Sequence, residues 1–229
     1  MNGAATTINK ETTLSDAVGR IEPGATVMVG GFMTVGTPEN LVDELVRQGQ
    51  ARLRVVCNDA GTPGRGVGKL VRSGQIASFV TSHIGLNPEM GQAMTDGRVD
   101  VELVPQGTLA ERIRSAGAGL GGFLTPTGVG TVVQEGKQVL SIDGRDYLLE
   151  LPLRGHVALV RAQVADRMGN LRFYRSARNF NPLIAMACDY VIAQVDRIVD
   201  TGEIDPDSVM LPGILVDALV IATGEVNNG

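Results

Sequence analysis

The stretch VMVGGFMTVGTPENLVDELV, residues 27–46, decides the fold. Residues 25–30, ATVMVG, form a short β-branched run that reads as a buried strand and ends at Gly30-Gly31. Residues 38–49 then place Leu41, Val42, Leu45 and Val46 on one helical face. Thr37 suits the cap of that helix, Pro38 its first turn and Gly49 its end. A strand, a glycine turn and an amphipathic helix make the opening of an α/β unit.

Working outward, the same alternation repeats. LRVVC (53–57) reads as a strand, with a short helix expected through 69–72. IASFVTS (76–82) follows, then NPEMGQAMTDG (87–97), a helix with an Asn cap and with Met90, Ala93 and Met94 facing the core. VDVELVP (99–105) is a fourth strand. TLAERIRSAG (108–117) offers a capping box, Thr108 with Glu111. This order predicts an open, mostly parallel sheet with helices on both faces. The second half differs. KQVLSIDGRDYLLEL (137–151) reads as a hairpin around Asp143-Gly144. Strands are expected at 157–166, 171–175 and 190–196, with a helix near 182–188. No fixed-period repeat or Pro/Ser-rich linker divides the 229 residues, so a single domain over 1–229 is expected.

Composition narrows the function. Hydrophobic residues at 43% allow a sizeable core, while a net charge of -5 argues against a nucleic-acid surface, which needs clustered Lys and Arg. No apolar run reaches the length of a membrane span. The first residues lack the basic start and apolar core of a secretion signal, so a cytoplasmic location is expected. Cys57 and Cys188 are too few for a disulfide framework and read as buried thiols.

Three glycine clusters compete for a ligand. Gly30 to Gly36 has the strand–loop–helix setting of a phosphate loop, but Thr37-Pro38 stands where that loop needs Lys and Ser or Thr. NTP hydrolysis is therefore not expected. Adjacent glycines still let another group approach the main chain, beside a helix N-terminus that favours negative charge. A tight turn with no ligand is the alternative. GAGLGG (117–122) matches G-x-G-x-x-G, yet it follows a helix where the dinucleotide fingerprint follows a strand. GTPGRGVG (61–68) reads as a flexible connector.

The motifs VGGFMTVGTPENLV, CNDAG, TSHIGLNPE, VPQGTLAERIRSAGAGLGGFLTPTGVGT and SARNFNPLIA resemble the alpha (A) subunits of family I (3-oxoacid type) CoA-transferases, and within them the bacterial acetate/acetoacetate branch. The likeness runs in one register from about residue 14 to 214, with mobile termini expected outside it. It implies the NagB/RpiA-like CoA-transferase fold and a beta-subunit partner in an α2β2 assembly. It also implies CoA transfer between short-chain carboxylic or 3-oxo acids. A glutamate attacks an acyl-CoA thioester, and the reaction proceeds in ping-pong fashion through a glutamyl-CoA thioester. Coenzyme A is then a substrate, and no permanently bound cofactor or metal is expected.

By the same resemblance, Gly30, Gly31, Phe32, Met33, Thr34, Val35 and Gly36 form the CoA-binding stretch, and Gln106 contacts substrate. Asn58 follows a strand as Gln106 does and is the second substrate-binding residue; Asp59 stands where the family often has a second asparagine, and a carboxylate facing an acid substrate would repel it. The family places its glutamate in a Ser-Glu-Asn-Gly setting on the beta subunit, a sequence this chain lacks. Glu39, in a first helical turn, supports the helix dipole instead, so no nucleophile is assigned here. His83 and His156 read as structural, and Arg178 to Asn181 as a polar cluster that caps the next helix or meets a partner subunit. The competing function is a non-catalytic module of the same fold that binds acyl-CoA or a sugar phosphate.

Overall fold

The computed structural model describes residues 9–224. Four strands come first: β1 (Thr26–Val29), β2 (Leu53–Val56), β3 (Ile76–Thr81) and β4 (Asp100–Leu103). Helices α2 (Glu39–Gln48), α3 (Gly68–Ser73) and α4 (Pro88–Thr95) connect them, preceded by α1 (Leu14–Val18). Helix α5 (Gln106–Gly117) leads to β5 (Phe123–Thr125), β6 (Val139–Ile142) and β7 (Arg145–Glu150). The chain then adds β8 (Gly155–Asp166), β9 (Leu171–Arg172), α6 (Asn181–Met186), β10 (Cys188–Val199) and β11 (Ala218–Ile221).

The main sheet runs β11-β10-β8-β1-β2-β3-β4, all parallel, with β9 antiparallel on β8. Strands covered on both faces must be apolar throughout, and their side chains alternate between two cores. Val27, Val55, Phe79 and Leu159 pack with Leu41, Leu45, Leu70 and Met90 from α2, α3 and α4. Met28, Val56, Val80 and Val160 face the other way, onto Leu109 and Ile113 of α5 and Ile184 of α6. Helices thus cover both faces, as expected. Chain order reverses at β1: the strands after it run outward through β2, whereas β8 lies on its other side. In an open parallel sheet, the loop after such a strand borders the natural ligand crevice.

The expected hairpin is present, with Asp143 and Gly144 both at positive φ, inside a separate antiparallel sheet β5-β7-β6. Several local expectations change. Helix α2 starts at Glu39, and Pro38 rather than Thr37 sits at the cap without a side-chain bond. Helix α5 starts three residues earlier than the capping box implied, with Pro105 at the cap, so Thr108 is buried inside the helix. Met90 is core, but Met94 is exposed because it falls outside the buried stripe of α4. Strand β9 stops at Arg172, and a 3-10 turn over Arg175–Arg178 replaces its expected end. Cys57 is buried, whereas Cys188 is only half-buried. Beyond the reach of the resemblance, β11 completes the sheet; mobility of residues 1–8 and 225–229 concerns positions outside the described residues.

Candidate functional site

The loop after β1 is a small hairpin of its own. Phe32 and Val35 exchange both backbone hydrogen bonds, at 3.0 and 2.9 Å, around Met33 (φ 48°) and Thr34 (φ 71°). Two successive left-handed residues are usually Asn-Gly. A β-branched Thr there is a genuine outlier, of the kind that persists only where its surroundings enforce it.

The Met33 N–H donates to Asp59 Oδ2 at 2.8 Å. Asn179 Nδ2 donates to the Val35 carbonyl at 2.9 Å, and Asn181 Nδ2 to the Gly36 carbonyl at 3.0 Å. The 61–68 cluster is an ordered turn and not merely a connector: the Gly66 N–H donates to the Glu39 carboxylate at 3.0 Å. The space beside the glycines is also filled. A Cβ on Gly30 would lie 1.9 Å from Asn181 Oδ1. One on Gly31, whose φ is 122°, would lie 2.2 Å from Thr37 Oγ1, and one on Gly36 would lie 2.6 Å from the Ala177 carbonyl. On the side where a side chain would point, the glycines thus let the protein close on its own loop. The SARNFNP segment likewise does not cap α6, which has no side-chain cap; Asn179 and Asn181 brace the loop from behind.

In front of the loop lies a cleft of about 420 Å³. The C-terminal ends of adjacent parallel strands supply its walls: Phe32 and Met33 after β1, Asn58 and Asp59 after β2, Ser82 and His83 after β3, and Gln106 at the first turn of α5. The structure thus brings Phe32, Met33, Asn58 and Gln106 together. Asn58 is buried and Gln106 exposed, and Gln106 Nε2 donates to Asn58 Oδ1 at 3.0 Å. Asp59 does not present a bare carboxylate to the cleft. It is buried, with Oδ2 accepting from Met33 N–H and Asn58 Nδ2 and Oδ1 accepting from Gly61 N–H at 2.9 Å.

Thr34, Val35 and Gly36 border a different cleft behind the loop, of about 300 Å³, with Arg65, Lys69 and Arg161. Burial disfavours the Lys69 charge, but hydrogen bonds to Asp43 and Glu39 outweigh it and raise the ammonium above its ordinary value. Glu39 lies 2.6 Å from Lys69 Nζ, outside the front cleft.

His83 lines the front cleft, its ring seated over Gly85, where a Cβ would come within 2.9 Å of Cε1. His156 accepts from the Thr26 N–H at 2.8 Å near the starts of β1 and β8, the other end of the sheet. No cluster of three metal-ligating side chains occurs among the described residues.

An open parallel sheet with a braced turn at its reversal point and amides converging on one cleft defines an α/β ligand-binding enzyme scaffold. The coenzyme A transferase family model matches residues 11–222, and the chain belongs to that family. It is 52% identical over 210 residues to the acetate CoA-transferase subunit alpha of Escherichia coli (strain K12), covering 92% of this chain and 96% of that one. It is 43% identical to the acetoacetyl-CoA:acetate/butyrate CoA transferase alpha subunit of Clostridium acetobutylicum, covering 86% and 90%. The fold matches an acyl-CoA transferase from E. coli O157:H7, solved as a thioester complex with CoA, with a TM-score of 0.85 at 23% identity. That match covers 94% of this chain and 48% of the longer one.

Proposed function

We propose that the chain is the alpha subunit of a heteromeric enzyme that moves CoA between acetate, acetoacetate and similar short-chain acids, with a beta subunit completing the site in an α2β2 assembly in the cytoplasm. One observation carries this reading. The front cleft gathers amide and hydroxyl groups from two strand ends and α5, Asn58, Ser82 and Gln106, while its carboxylate, Asp59, is spent on internal hydrogen bonds. The cleft can hold a substrate carbonyl or carboxylate but supplies no nucleophile.

The nucleophilic glutamate then comes from the beta subunit. Its carboxylate adds to the acyl-CoA carbonyl and expels CoA thiolate, giving an acyl–glutamyl anhydride. The thiolate attacks the glutamyl carbonyl and releases the first acid, leaving a glutamyl-CoA thioester. The second acid reverses these steps. Each addition places negative charge on a carbonyl oxygen, and prepositioned N–H donors lower that barrier. Gln106 retains one side-chain N–H after bonding Asn58, and Asn58 holds it in place. Phe32 and Met33, at the front of the Gly30 to Gly36 stretch, form the wall against which CoA lies, and the rest of the stretch holds them there.

The test is exchange between acetyl-CoA and acetoacetate by this chain alone, by the beta subunit alone and by the complex. Activity is expected only in the complex, with borohydride trapping the thioester on the partner. Turnover by the isolated chain, or trapping at Glu39, would overturn the reading.

A further inference from the structure

Asp59 sits at one end of a chain of hydrogen bonds whose other end is Gln106. A carboxylate can only accept. Asn58 must therefore turn its NH₂ toward Asp59 Oδ2, which it does at 3.1 Å. That leaves Asn58 Oδ1 facing Gln106, so Gln106 must present Nε2 to it, at 3.0 Å. Ser82 Oγ spends its single proton on the Asn58 backbone carbonyl at 2.7 Å and lies 3.3 Å from Asn58 Oδ1, so the sense of the amide is set by Asp59. The orientation of an amide is ordinarily assigned from its neighbours; here the acceptor-only end fixes both amides in turn. The same Asp59 oxygen receives the Met33 N–H at the tip of the left-handed turn.

We propose that Asp59 is a positioning residue that sets the donor sense of the Asn58–Gln106 pair, so that Gln106 offers an N–H at a fixed place in the front cleft. This rests on the proposed function for its readout in turnover. An asparagine at 59 can donate as well as accept. It permits Asn58 to reverse, and Gln106 with it, which exchanges donor for acceptor at the substrate end although no atom near Gln106 has changed. Asp59 and Gln106 share no hydrogen bond; their communication runs through Asn58.

The experiment compares Asp59→Asn in the wild-type and Gln106→Ala backgrounds, in the complex with the beta subunit. Asp59→Asn is expected to lower kcat about tenfold, the scale of one misdirected hydrogen bond, with KM for CoA nearly unchanged. In the Gln106→Ala background the same substitution should cost less than about threefold, because the residue it acts through is gone. An equal loss in both backgrounds, or no loss in either, overturns the proposal. If Asp59→Asn does not assemble, Asn58→Ala in the two backgrounds reads the same coupling. Independently of turnover, the Gln106 side-chain NH₂ resonances of the chain should move in Asp59→Asn, and unchanged resonances count against the relay. A wild-type complex with no exchange activity would count against the proposed function alone, leaving the NMR result to decide this one.

Discussion

Asn181 occupies the volume that a side chain on residue 30 would need. Its Oδ1 accepts from the Arg161 N–H at 2.9 Å, and its Nδ2 donates to the carbonyls of Gly36 and Ala177 at 3.0 and 2.8 Å. The side chain is fully buried, so each of these groups would be costly to leave unpaired.

Gly30→Ala should therefore destabilise by overpacking, by about 1–3 kcal/mol. Asn181→Ala should cost about 1–3 kcal/mol for each polar group left unsatisfied. In the double variant the clash vanishes with the amide, so its cost should fall below the sum of the singles by about 1 kcal/mol or more. Urea denaturation of all four proteins measures this cycle. Strict additivity would show that the two positions are not in contact.

Thr34 gives a prediction of opposite sign. An L-residue in the left-handed region loses about 1–2 kcal/mol, and glycine gives back about 0.5–1 kcal/mol in extra chain entropy. Thr34→Gly should therefore stabilise the protein by roughly 0.5–1 kcal/mol. Turnover should fall, because a relaxed turn no longer holds the wall of the cleft in place. Loss of stability in Thr34→Gly would mean that the Thr34 side chain contributes more than its backbone costs.

These two positions also show where sequence reading succeeds and stops. The parallel units were legible because strands buried on both faces and one-sided helices have different apolar periods, as in 53–57 against 38–49. The convergence of Phe32, Asn58 and Gln106 fits their places after successive strands. What fills the space beside Gly30 was not legible, since Asn181 lies far away in the chain and a paired glycine looks the same whether a ligand or an amide packs against it. Thr108 with Glu111 matches a capping box, but Pro105 takes the cap and Thr108 is buried inside α5, which starts at Gln106. Met94 was placed in the core by spacing alone, yet α4 is short and its buried stripe is confined to Met90 and Ala93. Strand β11 lay just past the familiar motifs, and its four residues show no alternation to mark them.

Cys57 tests the interior behind Asn58. Burial, aided by the nearby Asp59 charge, pushes its thiol from an ordinary 9.0 up to about 12. The folded state thus holds the protonated form. The associated stability is fully present below pH 9 and is lost as pH rises toward 12. A thiolate-directed reagent at pH 8 should modify Cys57 only after unfolding. Stability should decline through that alkaline window, and less steeply in Cys57→Ala. Cys188 is shifted in the same direction by burial, so it contributes to the slope that remains. Rapid labelling of native Cys57 would contradict its placement.

Gln106 separates substrate handling from folding. Its residue is exposed, and Gln106→Ala removes its side-chain hydrogen bond to Asn58, whose Oδ1 borders the open cleft. An exposed side chain at a helix start contributes little packing, so the melting temperature should stay within about 0.5 kcal/mol of wild type in stability terms. If Gln106 donates to the developing oxyanion or the acid carboxylate, kcat/KM for the acid should drop about ten- to hundredfold, the equivalent of about 1.5–3 kcal/mol. The nucleotide end of CoA is separated from the reacting carbonyl by the length of the pantetheine arm, so competitive inhibition by free CoA should change little. Steady-state kinetics of the complex with acetate and acetoacetate, alongside CoA inhibition constants, makes the comparison. Equal losses for acid and CoA would reduce Gln106 to a support for the α5 turn, and the cleft would then need another donor at the substrate carbonyl.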